Sequence, residues 1–338
     1  MKKTKSGKML RGICLLTILL MMGSTLPPQS TVYATTLNLT IQTTKHLYDL
    51  GEEITIHGNV TMDDSPFDKG LVAIQIKDPR NNTLFVGTFA TGENATDLVD
   101  IYFDVFPCDK LGNQKLILKQ GEMLRLNATI INNEITSRHI LLVASIQFSN
   151  NLPFQTFVLY NDTINAGQRW SCNYPLGYIP DDAPLGTARI FGSILSGLPE
   201  RNGFALCLGK INTFNIESAT LSATNLKINS ISEPGTFNFS LITSQNGGIL
   251  GNYTVYASCF YPPWLSTKQI TFEVKLFKDI NEDGIINMLD LYVVASHYGE
   301  TPESPNWDPR TDIDKNNIVN MIDLYLVAVD YGKWGQLP

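Results

Sequence analysis

At 338 residues the chain is long enough for two to four domains, and 43% hydrophobic against 17% charged residues exclude a disordered protein. A formal charge of −7 excludes the clustered basic surface that nucleic-acid phosphates reward, so no nucleic-acid partner is expected. The acidity is uneven, because residues 279–338 hold eleven acidic and three basic side chains, a net of −8.

The first element is an export signal. Lys2, Lys3, Lys5, Lys8 and Arg11 precede the apolar run Ile13–Met22 and the small-residue site Val32-Tyr33-Ala34. That order predicts a signal peptide over 1–34 and a mature chain starting at Thr35. The mature chain then carries 20 basic and 32 acidic side chains, a charge of −12. A retained membrane anchor is the competing reading. No other stretch is long and apolar enough to cross a bilayer, so no stable span is expected after cleavage, and the protein is expected to be secreted or held at the cell surface. Cys14 leaves with the signal, and Cys108, Cys172, Cys207 and Cys259 remain. An even count in an exported chain permits two disulfides in three pairings. Cys172 with Cys207 is preferred, since both fall in one expected domain. No CxxC occurs, so zinc is not expected.

From residue 35 to 277, short alternating runs are broken by Gly, Asn, Pro and Asp, the pattern of β-sandwiches. "LNLTIQTT", "EITIHGNVT", "LVAIQIKD" and "NTLFVGTF" are predicted strands, with "DPRNN" a turn between the last two. The first sandwich is placed at 35–117. The second, at 118–217, takes "GEMLRLNATIIN" as its opening strand, "HILLVASIQF" as a central strand and "PDDAPLGTARIFGSI" as a turn into a late one. A small third β unit at 218–277 holds "GTFNFSLI", "GNYTVYASCF" and "ITFEVKLF"; at about 60 residues it is either independent or the completion of its neighbour. The run "TTKHLYDLGEEITIHGNV", with Lys45, Tyr48, Gly51, Glu52 and Ile54–Ile56, resembles the opening of macroglobulin-like and bacterial immunoglobulin-like domains. That resemblance implies a sandwich and no chemistry.

No HExxH, GxSxG, P-loop or GxGxxG signature occurs, and His46, His57, His139 and His297 are scattered, as structural histidines are. The chain is expected not to be an enzyme. In "YASCFYPPWL", Tyr256, Phe260, Tyr261 and Trp264 could stack on a sugar, but a core role is the preferred reading because aromatics dominate cores.

The tail is more specific. "DINEDGIINMLDLYVVASHYG" from Asp279 and "DIDKNNIVNMIDLYLVAVDYG" from Asp312 agree at 12 of 21 positions. An EF-hand-type loop takes oxygen ligands from positions 1, 3, 5, 7, 9 and 12 with a sharp turn at 6. The first loop offers Asp279, Asn281, Asp283, the carbonyl of Ile285, Asn287 and Asp290, with Gly284 at the turn. The second offers Asp312, Asp314, Asn316, the carbonyl of Ile318, Asn320 and Asp323, with Asn317 at the turn. Two calcium ions are expected, the second more weakly held. Ile286 at position 8 predicts that the two loops pair through a short β contact. Helices are predicted over Met288–Tyr298 and Met321–Tyr331, closed by Gly299 and Gly332. Leu291, Val294, Ala295 and Tyr298 should share the inward face of one, and Leu324, Val327, Ala328 and Tyr331 that of the other.

A loop-plus-helix unit duplicated over residues 278–338 resembles a type I dockerin. The resemblance implies calcium-dependent docking onto a cohesin-like domain, the device that mounts secreted enzymes on scaffolds for polysaccharide breakdown. Positions 10 and 11 help choose the cohesin in that family. Here they are Met288-Leu289 and Met321-Ile322 in place of the usual hydroxyl residues, so a different partner is implied. The expected architecture is mainly β, two or three immunoglobulin-like sandwiches followed by a small all-α paired calcium-loop domain. The expected role is that of a secreted binding or adaptor protein. The alternative is a glycan-binding accessory component of polysaccharide degradation, and an unrecognised polysaccharide hydrolase ranks third.

Overall fold

A computed structural model describes residues 35–218 and 233–338, and the expected signal peptide at 1–34 lies outside them. The protein is mainly β, with 51% strand and 7% helix. Among the described residues the strands build four stacked sheets and a two-stranded one, Gly248–Ile249 with Gly335–Gln336. The outermost holds Leu37–Thr43, Glu53–Met62 and Thr236–Ile242, with Ser65–Pro66 beside it. The second runs Leu47–Asp49, Trp264–Lys275, Gly251–Tyr261, Leu71–Lys77, Thr83–Ala90. The third runs Pro153–Ile164, Arg138–Gln147, Gly186–Leu195, Lys210–Glu217, Ile117–Lys119, and the fourth holds Arg169–Tyr178, Met123–Asn132 and Ile101–Pro107.

Alternation in sequence decides which side chains fill the gaps between sheets. In Leu71–Lys77 every residue is buried, because the second sheet is covered on both faces. Val72, Ile74 and Ile76 face the first sheet, packing with Ile54, Ile56 and Phe239. Leu71 and Ala73 face the third sheet and meet Leu141, Val143 and Leu195. A third core, between the third and fourth sheets, joins Leu124, Leu126 and Ile130 to Leu142, Ile146 and Ile190. The middle seam also carries polar pairs: Lys77 meets Glu200, and the Ser145 hydroxyl donates to the Val86 carbonyl at 2.8 Å.

Two of the expected boundaries differ from this pairing. Ile101–Pro107, placed by sequence in the 35–117 unit, pairs with Met123–Asn132 in the fourth sheet. The segment expected as a third unit at 218–277 contributes its three long strands to the first sandwich. Thr236–Ile242 pairs with Glu53–Asn59, and Thr254–Cys259 pairs with Val72–Lys77. Alternation states which face of a strand is buried and not which distant strand lies beside it, so these pairings were invisible locally.

The C-terminal unit adds two helices, α1 (Met288–Ser296) and α2 (Met321–Val329). Its core residues Ile280, Ile286, Val294, Val319 and Val327 belong to the same buried cluster as Leu250, Tyr253 and Leu276 of the first sandwich. No helix among the described residues is long and apolar enough to cross a membrane.

Candidate calcium centres and docking face

Each loop folds back on itself, and the backbone makes this possible. Gly284 has φ +89° and Asn317 φ +67°, the left-handed turn expected at position 6. Position 4 also turns left-handed, at Glu282 (φ +61°) and Lys315 (φ +58°), which the sequence reading missed. The amides of Asp283 and Gly284 donate back to the two Asp279 oxygens at 3.1 and 2.7 Å. Asn281 Nδ2 donates to Asp283 Oδ2 at 2.9 Å, and Asn287 Nδ2 lies 3.2 Å from the Ile285 carbonyl. Positions 1, 3, 5, 7 and 9 of the first loop therefore close on each other.

Position 12 supports both loop and helix. Asp290 accepts the amides of Ile280 at 2.7 Å and of Asn287 at 2.8 Å, and Asp323 accepts those of Ile313 and Asn320, each at 2.7 Å. Asn287 and Asn320 cap α1 and α2 by accepting the Leu289 and Ile322 amides, completing a capping box in each copy. These caps place the ligand set at two helix N-termini.

The donor chemistry fits a hard dication. All the side-chain groups are carboxylates or amides, and carboxylate oxygens of Asp312, Asp314 and Asp323 lie within 4.8 Å of one another. Asp279, Asp290, Asp312 and Asp323 are buried, and among the described residues no ion pair reaches any of them. Burying carboxylates without countercharge is costly, and a bound cation removes that cost. Burial pushes the Asp279 carboxyl up, and the charges of Asp290 and Asp283 add to this against the Gly284 and Asp283 amides.

The helices run Met288–Ser296 and Met321–Val329, about one half-turn shorter than expected, before Gly299 (φ +82°) and Gly332 (φ +87°). The two loops do not pair with each other. Ile286 pairs instead with Gly332 and Lys333 beyond α2, and Val319 pairs with Gly299 and Glu300 beyond α1. Each loop is thus closed by the other copy's exit segment.

Of the predicted inward faces, Val294 and Val327 are buried and Leu291 and Leu324 half-buried, but Ala295, Tyr298, Ala328 and Tyr331 are exposed. The outward face is apolar instead. Met288, Leu289 and Tyr292 on α1, with Met321, Ile322 and Tyr325 on α2, are between 52% and 71% exposed. Tyr292 and Tyr325 had been overlooked, although their spacing from Met288-Leu289 and Met321-Ile322 and their recurrence in both copies mark them.

Among the described residues Cys108, Cys172, Cys207 and Cys259 are all free, so the preferred Cys172–Cys207 bridge is absent. Cys207 points its sulfur toward the carbonyls of Val99 and Ile101, and Cys172 sits on the strand pairing with Ala128 in the fourth sheet. Burial pushes the thiols of Cys207 and Cys259 up to about 12, which keeps them protonated. The aromatic stretch is occupied by packing: Phe260 stacks on Phe204 at 4.1 Å, and Tyr261 meets Phe67 edge-on at 4.8 Å.

Two oxygen-lined loops, each feeding a short capped helix and each closed by the other, define a paired half-hand module of calcium-binding type. Residues 277–329 match the dockerin type I domain family, so the chain carries a dockerin domain at its C-terminus. Dockerin domains bind calcium and dock onto cohesin domains. No curated protein gives a significant match to the chain. Among solved structures, a Pseudomonas fluorescens alkylpurine DNA glycosylase bound to DNA with an abasic site analog aligns at 11% identity over 35% of this chain and 30% of its own, with a TM-score of 0.27. A Listeria innocua beta-glucosidase aligns at 10% identity over 42% of this chain and 18% of its own, with a TM-score of 0.25. This chain spans 30% of the glycosylase and 18% of the beta-glucosidase, and the likeness carries no functional argument.

Proposed function

We propose that this chain is an exported, non-catalytic adaptor whose dockerin, loaded with two calcium ions, holds the β-sandwich body on a cohesin-like domain. The observation that carries the reading is the matched apolar stripe on α1 and α2, exposed in both copies where each calcium loop runs into its helix. Calcium bound at each loop would fix the helix behind it, so that the stripes are presented only in the loaded state. Contiguous exposed apolar residues rimmed by acids are the character of a protein-docking face. Methionine at positions 10 of both loops suits an adaptable contact, which favours a partner other than one selecting hydroxyl groups. The non-catalytic part of the reading rests on the sequence, where no HExxH, GxSxG, P-loop or GxGxxG signature occurs.

The test is calorimetric titration of the mature chain against a panel of purified cohesin domains, in millimolar calcium and in chelator. Binding to at least one cohesin in calcium and none in chelator is expected. Equal binding in both conditions, or turnover of polysaccharide by the purified chain, would sink the reading.

A further inference from the structure

The two halves of the dockerin are near-copies, yet they are not braced alike. On the first loop, Gly332 donates to the Ile286 carbonyl at 2.8 Å and Ile286 donates to the Lys333 carbonyl at 2.9 Å. Two residues on, Gly335 donates to the Gly284 carbonyl at 2.9 Å, within the turn of the calcium loop itself. The second loop repeats the first two bonds, from Gly299 to Val319 and from Val319 to Glu300. It cannot repeat the third. The counterpart of Gly335 is Pro302, which has no amide hydrogen.

The other edge of the same tail is bonded to the sandwich. Gly247 donates to the Trp334 carbonyl and Leu250 to the Gln336 carbonyl, both at 2.8 Å, and Gly248–Ile249 pairs with Gly335–Gln336 in parallel. Arg80, from the turn after Leu71–Lys77, donates to Gln336 Oε1 and to the Leu337 carbonyl, each at 2.8 Å. Gly247, with φ +74°, lies under the Trp334 ring, where a Cβ would come within 2.7 Å of it. Three backbone segments, 247–250, 332–336 and 284–286, therefore form one hydrogen-bonded layer from the sandwich to the calcium loop.

We infer that Trp334–Pro338 is a strap that couples the first calcium loop to the first sandwich and makes the two calcium sites unequal. The inference rests on the reading that both loops take calcium. With the strap seated, the first loop is held in its binding geometry by a rigid neighbour, and less ordering remains for the ion to impose. The second loop lacks this brace. Calcium leaving the first loop in turn loosens the strap, and with it the fixed orientation in which the sandwich presents the α1 and α2 stripes.

The experiment follows hydrogen exchange of residues 279–290 and 312–323 separately during a calcium titration of the mature chain. It compares the intact chain, a chain ending at Lys333, and Arg80→Ala. Truncation should raise the calcium needed to protect the first loop by about tenfold, the scale of one or two net hydrogen bonds, and the second loop's by less than twofold. Arg80→Ala, which keeps every backbone bond of the strap, should shift the first loop in the same direction by less. In the intact chain, chelator should speed exchange of the Gly247 and Leu250 amides, while strand 251–261 stays protected as the control for folding. An intact chain in which neither loop responds to calcium overturns the calcium reading, and the coupling with it. Calcium uptake with equal shifts in both loops on truncation, or none, or with Gly247 and Leu250 indifferent to chelator, overturns the strap alone.

Discussion

Asp290 and Asp323 each gather backbone amides from the start of their loop and from the cap of their helix, with no solvent exposure. Position 12 is also where an EF-hand-type loop supplies a bidentate carboxylate. Asp290→Ala should therefore lower calcium affinity more than Asn287→Ala, whose loss is mainly a helix cap of about 1 kcal/mol. Calorimetry giving equal losses would show a different ligand register. Asp330 sits between Lys278 and Lys333. Burial alone would raise its carboxyl, but hydrogen bonds and charge from the two lysines outweigh it and hold the carboxyl below its usual range. A depressed carboxyl contributes stability above its unfolded pKa of about 3.9 and loses it as pH falls through the lower folded value. Asp330→Asn should thus flatten the acid-side loss of dockerin stability in calcium, measured by thermal melts between about pH 5 and 2.5. Met288→Lys with Met321→Lys should abolish cohesin capture and leave calcium affinity nearly unchanged, because both side chains are exposed. Loss of calcium-induced folding in that double variant would place them in the core.

At the scale of elements, strands were the easier reading. Leu37–Thr43 and Glu53–Met62 lie where alternation put them, since a half-buried strand writes its period directly into sequence, whereas the fully buried Leu71–Lys77 and its neighbour Thr83–Ala90 lie where apolar runs flanking a turn put them. The helices were legible through the acidic loops before them and their terminal glycines, but their faces were harder to assign. Each carries apolar residues nearly all round, so periodicity could not separate the stripe that packs from the stripe left for a partner. Short helices of nine residues with acidic loops have little stability alone. A peptide covering residues 277–338 should be largely unfolded in chelator and gain helical circular dichroism with calcium, in a titration spanning about 10⁻⁴–10⁻³ M. It should need more calcium than the full chain, because the sandwich that braces its first loop is missing. A spectrum indifferent to calcium would contradict this.

The described β body is a stack of four sheets in which the first sandwich is assembled from both ends of the body. Phe239, from the late segment, stacks on Phe85 at 4.1 Å and meets Phe191 of the neighbouring sandwich at 5.9 Å. Phe239→Ala should destabilise the body by about 3–5 kcal/mol, read as a shift in the denaturant midpoint of tryptophan fluorescence. For the same reason a fragment covering residues 35–117 should fail to fold, since it lacks Thr236–Ile242 and Gly251–Tyr261, which pair along the other edges of Glu53–Met62 and Leu71–Lys77. A cooperative unfolding transition in that fragment would show that the local strands suffice.

The sequence by itself determined the features that are local and repeated: the β class of the body, the two short helices near the C-terminus, and the left-handed turns at Gly284 and Asn317. Each follows from a few neighbouring residues whose chemistry admits few conformations. Tertiary structure alone decided which strands share a sheet, and so that residues 236–275 complete the first sandwich. It left Cys172 and Cys207 unpaired, closed each loop with the other copy's exit segment, and laid the last five residues against the sandwich. Those outcomes depend on backbone groups far apart in the chain finding partners, and a backbone amide looks the same in sequence wherever it ends up; only Pro302, which lacks one, recorded its side of the asymmetry in advance.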